Sequence, residues 1–154
     1  SEKYFIGIEK SIREDFSFND EIFDFCSNLI SKLDQPISLH VRRSDYLKER
    51  PQWVLGENYY SKSLSYFDDN RPILLFSDDK EWCKRQSFYN KNRFFISNYN
   101  NIIDLCLMSL CSQHIISNST FAWWGAWLAQ SEKVIASKIW KPSCDMITRN
   151  WQCI

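Results

Sequence analysis

Residues 100–136, NNIIDLCLMSLCSQHIISNSTFAWWGAWLAQSEKVIA, decide the fold. Apolar residues at helical spacing fill 100–112, a short apolar run QHIIS follows at 113–117, helical spacing returns over 119–130, and KVIA closes the stretch at 133–136. Two short apolar runs separated by a helix read as a βαβ unit, in which parallel strands are joined by a right-handed crossover.

The same alternation extends upstream. PISLHVR (36–42), PILLFS (72–77) and RFFI (93–96) read as further short strands, with helices predicted over 57–68 and 79–88 between them. Ahead of the first strand, DFSFNDEIFDFCSNLISKL (15–33) sets Phe18, Ile22, Phe25, Cys26, Leu29, Ile30 and Leu33 on one stripe, with Asn19 or Asp20 as N-cap. Five buried strands alternating with helices define an α/β class, a parallel sheet flanked by helices. The length of 154 residues suits one domain, with a leading segment and helix over 1–35 and the motif-bearing core over 36–140.

Composition narrows the function classes. Hydrophobic residues make up 44% and charged residues 25%, an ordinary globular mix that argues against disorder and coiled coil. Nineteen basic residues balance nineteen acidic ones, so no global charge favours nucleic acid or an anionic membrane. No run of about 18 apolar residues could form a transmembrane helix, and Ser-Glu-Lys-Tyr resembles no targeting segment. The chain starts without Met, as a trimmed piece of a longer protein would. The six cysteines contain no C-x-x-C pair and the two histidines do not join them at zinc spacing, so no metal is expected. Cys26, Cys106 and Cys111 sit in apolar helical patterns as small hydrophobes, which fits a reducing compartment; Cys144 and Cys153 could pair if the protein were exported.

In an open parallel sheet the ligand crevice lies beyond the carboxyl ends of the strands. Three polar clusters fall there and should share one rim: His40-Val41-Arg42-Arg43-Ser44-Asp45-Tyr46, Ser77-Asp78-Asp79 and Ser117-Asn118-Ser119-Thr120-Phe121. Period two puts His40 and Arg42 on one face and Val41 and Arg43 on the other, a paired donor site suited to phosphate. The competing reading is a structural ion pair of Arg42 or Arg43 with Asp45. Ser119 and Thr120 at a helix entrance are either plain caps or part of an anion site made with the free backbone N–H groups. Asp79 reads as a helix cap and Asp78 as an acceptor-only carboxylate able to receive the N–H groups of guanine. Asn118-Ser119-Thr120 fits the glycosylation acceptor pattern, but a helix entrance expected to be buried weighs against it. Phe121, Trp123, Trp124 and Trp127 read as core packing, with Phe121 nearest the rim the exception. Glycine occurs only at positions 7, 56 and 125, so the Gly-rich phosphate loops are absent.

HVRRSDY, FSDD and SNSTFAWWGAWL, in this order and at these separations, resemble the α-1,2-fucosyltransferases of glycosyltransferase family 11. DLCLMSLC followed by HIISNS is similar to that family as well, and the likeness covers residues 36–140. It implies the C-terminal, Rossmann-like half of a GT-B glycosyltransferase that binds GDP-fucose and transfers fucose with inversion to a hydroxyl of a galactose-containing glycan. It implies no metal and no cofactor besides the donor substrate. Residue by residue it makes His40 and Arg42 diphosphate contacts, with Arg42 catalytic through the charge on departing GDP and Arg43 beside it. Asp78 would hold guanine, and Ser119, Thr120 and Phe121 would line the nucleotide pocket with Asn118 as neighbour. Ser44 departs from the family's usual glycine. A complete enzyme of this kind has an N-terminal half of comparable size for the acceptor, which would also hold the general base. The expected location is the cytoplasm or the cytoplasmic face of a membrane in a bacterium, or a membrane in a longer eukaryotic form. The alternative function is a non-catalytic nucleotide-sugar or carbohydrate binding module.

Overall fold

The computed structural model describes residues 2–67, 70–140, 148 and 151–154. Six parallel strands form one sheet: β1 (Ile37–Val41), β2 (Ile73–Ser77), β3 (Phe94–Ile96), β4 (Gln113–Ile115), β5 (Lys133–Ala136) and β6 (Gln152–Cys153). Their order is β3-β2-β1-β4-β5-β6, with every neighbouring pair parallel. The chain therefore winds outward from β1 in one direction, returns to β4, and winds outward in the other. β1 and β4 flank the point where the winding reverses, and such a point opens a crevice between diverging connections.

Alternation along the strands separates two covered faces. Ile37, Leu39 and Val41 of β1, with Ile73 and Leu75 of β2, pack against Leu55, Tyr60, Leu64 and Cys83. These come from the connection after β1, from α4 (Glu57–Leu64) and from α5 (Lys80–Lys84). On the opposite face Leu74 and Phe76 meet Cys26 of α2 (Asp20–Ile30) and Cys106, Leu107 and Met108 of α6 (Asn101–Leu110). Val134 and Ala136 meet Ala122, Trp123, Ala126 and Trp127 of α7 (Thr120–Leu128). Both faces are buried, which is why the strands read as continuous apolar runs. Cys26, Cys106 and Cys111 serve as the small buried hydrophobes expected, and Cys26, Cys83, Cys106 and Cys111 are free thiols. Cys144, and with it the pairing suggested for Cys144 and Cys153, lies outside the described residues.

Several element bounds differ from those expected of the sequence. The leading helix begins at Asp20 because Asn19 is extended and its side chain accepts the Ile22 N–H at 2.9 Å. A separate short helix α1 (Glu9–Asp15) precedes it, unread because its seven residues carry a single apolar side chain, Ile12. That segment is fastened to α7: Phe5 stacks on Trp124, Phe16 stacks on it at 4.6 Å, and the Arg13 guanidinium lies 3.8 Å from the Trp127 ring. α6 and α7 approach closely where Gly125 faces Met108; a Cβ at Gly125 would lie 2.7 Å from the Met108 Cβ.

Candidate nucleotide site

A cavity of about 380 Å³ opens at the carboxyl ends of the strands. The exits of four strands build it: His40, Arg42 and Tyr46 from β1, Phe76, Ser77, Asp78 and Lys80 from β2, Tyr99, Asn101 and Asp104 after β3, and Ser119 to Phe121 after β4. The three clusters expected on one rim meet there.

His40 and Arg42 line the cavity while Val41 is buried in the opposite face, as alternation requires. The His40 ring is 8% exposed, and its Nδ1 shares a 2.7 Å hydrogen bond with the buried Ser117 hydroxyl. Burial, and then the nearby Arg42 charge, lower its pKa to about 3, so the imidazole is neutral at physiological pH. Phe121 lies beside it at 5.9 Å between ring centroids.

Arg42 is held by two carboxylates, Asp45 at 2.6 Å and Asp78 at 2.9 Å, with the Tyr46 ring 5.4 Å away. The ion pair with Asp45 weighed from sequence therefore exists alongside exposure to the cavity. Arg43 points elsewhere. Its Nε pairs with Asp79 at 3.2 Å and its guanidinium stacks 4.0 Å from the Trp82 ring, so its side chain is not part of the cavity wall. Its backbone N–H donates to Asp78 Oδ1 at 2.9 Å, and both Asp78 oxygens are thereby engaged by the two arginines. Asp79 caps α5 by accepting the Trp82 N–H, as read from sequence.

Ser119 is the N-cap of α7, yet its side chain makes no capping bond to the helix. The first N–H groups of α7 and the Ser119 hydroxyl thus border the cavity at the positive end of the helix dipole. Asn118 stands behind this wall. It is 1% exposed and its amide donates to the Trp53 carbonyl at 2.8 Å, tying the connection after β1 to the start of α7. Trp123 and Trp127 are core residues, and Phe121 is the one aromatic of that run on the cavity.

Sequence reasoning placed Tyr46 in the first rim cluster without giving it a role, and missed Lys80, Tyr99, Asn101 and Asp104. A signal was present for three of them, because the rule applied to three strand exits also points beyond 93–96. Asp104 is half-buried in the first turns of α6, and burial raises its carboxyl above the ordinary aspartate value. The Ser97 hydroxyl donates to its Oδ1, leaving acceptor capacity on the other oxygen.

A parallel sheet flanked by helices, with its cavity at the carboxyl ends of the strands, is a Rossmann-like α/β domain. A family 9 glycosyl transferase from Veillonella parvula superposes with a TM-score of 0.62 at 12% identity, over 90% of this chain and 41% of that one, a likeness of fold. Residues 1–150 match the model of glycosyl transferase family 11, and the chain belongs to that family. The O-antigen biosynthesis glycosyltransferase WbnK of Escherichia coli is 34% identical over 79% of this chain and 46% of its own length. An Escherichia coli alpha-1,2-colitosyltransferase is 33% identical over 83% of this chain and 48% of its own length. The human galactoside alpha-(1,2)-fucosyltransferase 1 is 24% identical over 94% of this chain and 45% of its own length. The chain thus spans about half the length of the relatives it matches. Among the described residues no helix is long and apolar enough to cross a membrane.

Proposed function

We propose that this chain binds the donor of an inverting α-1,2-fucosyl transfer, GDP-fucose, and that the fucose goes to a hydroxyl of a galactose-containing glycan. The observation that carries the reading is the convergence on one cavity of Arg42, His40, the start of α7 and the Asp104 carboxylate. Paired donors and a helix N-terminus suit a diphosphate, and a carboxylate suits a base that presents N–H groups.

In this mechanism Arg42, already fixed by Asp45 and Asp78, stabilises the negative charge that grows on GDP as the glycosidic bond breaks. Neutral His40 donates a hydrogen bond to the same oxygens. Because the charge is met by fixed protein donors, neither metal nor further cofactor is invoked. Asp78, expected from sequence to hold guanine, lines the cavity with each oxygen accepting one bond from Arg42 or Arg43, whereas Asp104 keeps one oxygen without a bond to a described residue; in this proposal Asp104 is the principal guanine acceptor. Asp78, Arg43 and Asn118 support the site: the first holds Arg42, the second braces the Asp79 cap and the third anchors the connection after β1. No carboxylate of the cavity is assigned as general base for the acceptor hydroxyl.

A colitosyl donor is the second reading, favoured by the similarity to the colitosyltransferase. Calorimetric titration with GDP, GDP-fucose and ADP, in EDTA and then with Mg²⁺, tests the proposal. Guanine nucleotides are expected to bind alike in both conditions and ADP much more weakly; failure of GDP to bind would overturn it. Product analysis with each sugar donor separates the two readings, and nucleotide binding without transfer by the complete protein would leave a non-catalytic binding module.

A further inference from the structure

Ser117 lies two residues beyond β4 and two before the N-cap of α7, and is 2% exposed. Its hydroxyl has one hydrogen-bond partner among the described residues, His40 Nδ1 at 2.7 Å. A hydrogen bond between a hydroxyl and a neutral imidazole can run in either direction. If Nδ1–H donated to the hydroxyl, the Ser117 proton would be buried with no acceptor, an expensive arrangement. If the hydroxyl donates to Nδ1, every proton of the pair is used and the ring proton resides on Nε2. That nitrogen makes no hydrogen bond to a described residue, and its ring borders the cavity.

We infer that Ser117 is a positioning residue that fixes His40 in the Nε2–H tautomer, presenting a donor to an anionic ligand in the cavity. The inference rests on the reading of the cavity as a diphosphate site. The opposite tautomer would present a lone pair to phosphate oxygens and repel them. Phe121 packs at 5.9 Å from the ring and restrains its orientation. The buried ring is neutral, so the choice lies between two tautomers with no imidazolium to blur it.

His114 offers an internal reference. Its Nε2 faces the Met108 carbonyl at 2.9 Å and its Nδ1 faces the Ser131 hydroxyl at 2.6 Å, and it does not line the cavity. A carbonyl only accepts, so His114 must also carry its proton on Nε2.

The test is long-range proton–nitrogen NMR of the histidine-labelled chain and of the Ser117→Ala and Ser117→Thr variants, with GDP affinity measured on each. Wild type and Ser117→Thr should both show His40 protonated on Nε2. Ser117→Ala should lose that fixed tautomer and bind GDP about tenfold more weakly, the scale of one charge-assisted hydrogen bond, while the His114 signals stay unchanged. A wild-type His40 protonated on Nδ1 would overturn the inference, as would a Ser117→Ala variant with unaltered tautomer and affinity. Should Ser117→Ala not fold, the wild-type tautomer and the Thr variant decide it. If the wild-type chain bound no GDP, the functional reading would fall, and the tautomer spectrum would still decide between the two ring protonations.

Discussion

Arg42 and Asp78 form a 2.9 Å ion pair that bridges the exits of β1 and β2, and Asp45 grips the same guanidinium from the other side at 2.6 Å. The arginine is oriented before any ligand arrives, which lowers the ordering cost of binding. Arg42→Ala removes the cation and leaves two carboxylates facing the phosphates. GDP affinity is expected to fall by about 10- to 100-fold, corresponding to a charge-assisted contact left unmade. Arg42→Lys should recover little of it, because an ammonium lacks the planar fork that meets two carboxylates and a ligand together. Calorimetry on both variants checks this, and wild-type affinity in either would contradict it.

Asp104→Asn changes the acceptor pattern presented to the base. Guanine offers N–H groups to a carboxylate, whereas an amide presents one donor and one acceptor. The variant should lose most of its GDP affinity and with it the preference over ADP, whose base carries both an acceptor and a donor on the corresponding edge. Competition between the two nucleotides reads this out; an unchanged preference would place the base elsewhere.

Gly125→Ala tests packing away from the ligand. The added Cβ would meet Met108 Cβ at 2.7 Å and Sδ at 2.8 Å, so α6 and α7 must part. A stability loss of about 1–3 kcal/mol is expected from such overpacking, or a Tm lower by roughly 2–10 °C for a chain this size. The helix gains propensity from alanine, so a Tm equal to or above wild type would show that the helices separate freely.

Acid should weaken the fold through two imidazoles. His40 and His114 are held neutral by burial, with pKa values of about 3 and about 4 against an ordinary 6.5. The unfolded chain therefore takes up protons first as pH falls below 6.5, and stability present above that pH declines until the folded-state values are reached. At pH 5 each histidine costs roughly 2 kcal/mol relative to pH 7. Asp104, whose carboxyl is raised by burial, works in the opposite direction, and only within the carboxylate range. Denaturant midpoints at pH 7, 6 and 5 should fall progressively; a flat profile would refute this.

The fold is legible where burial on both sheet faces writes itself into the sequence. β1 to β5 coincide with the five apolar runs to within one or two residues, since most of their positions touch a packed layer; Ser38, His40 and His114 are buried polar exceptions. β6, with two residues, carries too little pattern to be read. His40 and Arg42 are legible through strand alternation, and Ser119 through its place at a strand-to-helix turn. Arg43 looks like a ligand contact because it neighbours Arg42, while the strand's alternation turns it to Asp79 and Trp82. Asp104 is hidden because it sits inside a helix, where a lone acidic residue looks like surface until the packing of α6 is known.

The cavity draws its wall from four strand exits, each a separate stretch of sequence hung on a sheet that none of them holds together. Such a layout is modular under mutation. The stretch bearing Tyr99, Asn101 and Asp104 can drift, lengthen or be exchanged while His40, Arg42 and the start of α7 stay in place. Altered cavity chemistry is then reachable through changes in a single connection, with the sheet and the other three strand exits left as they are.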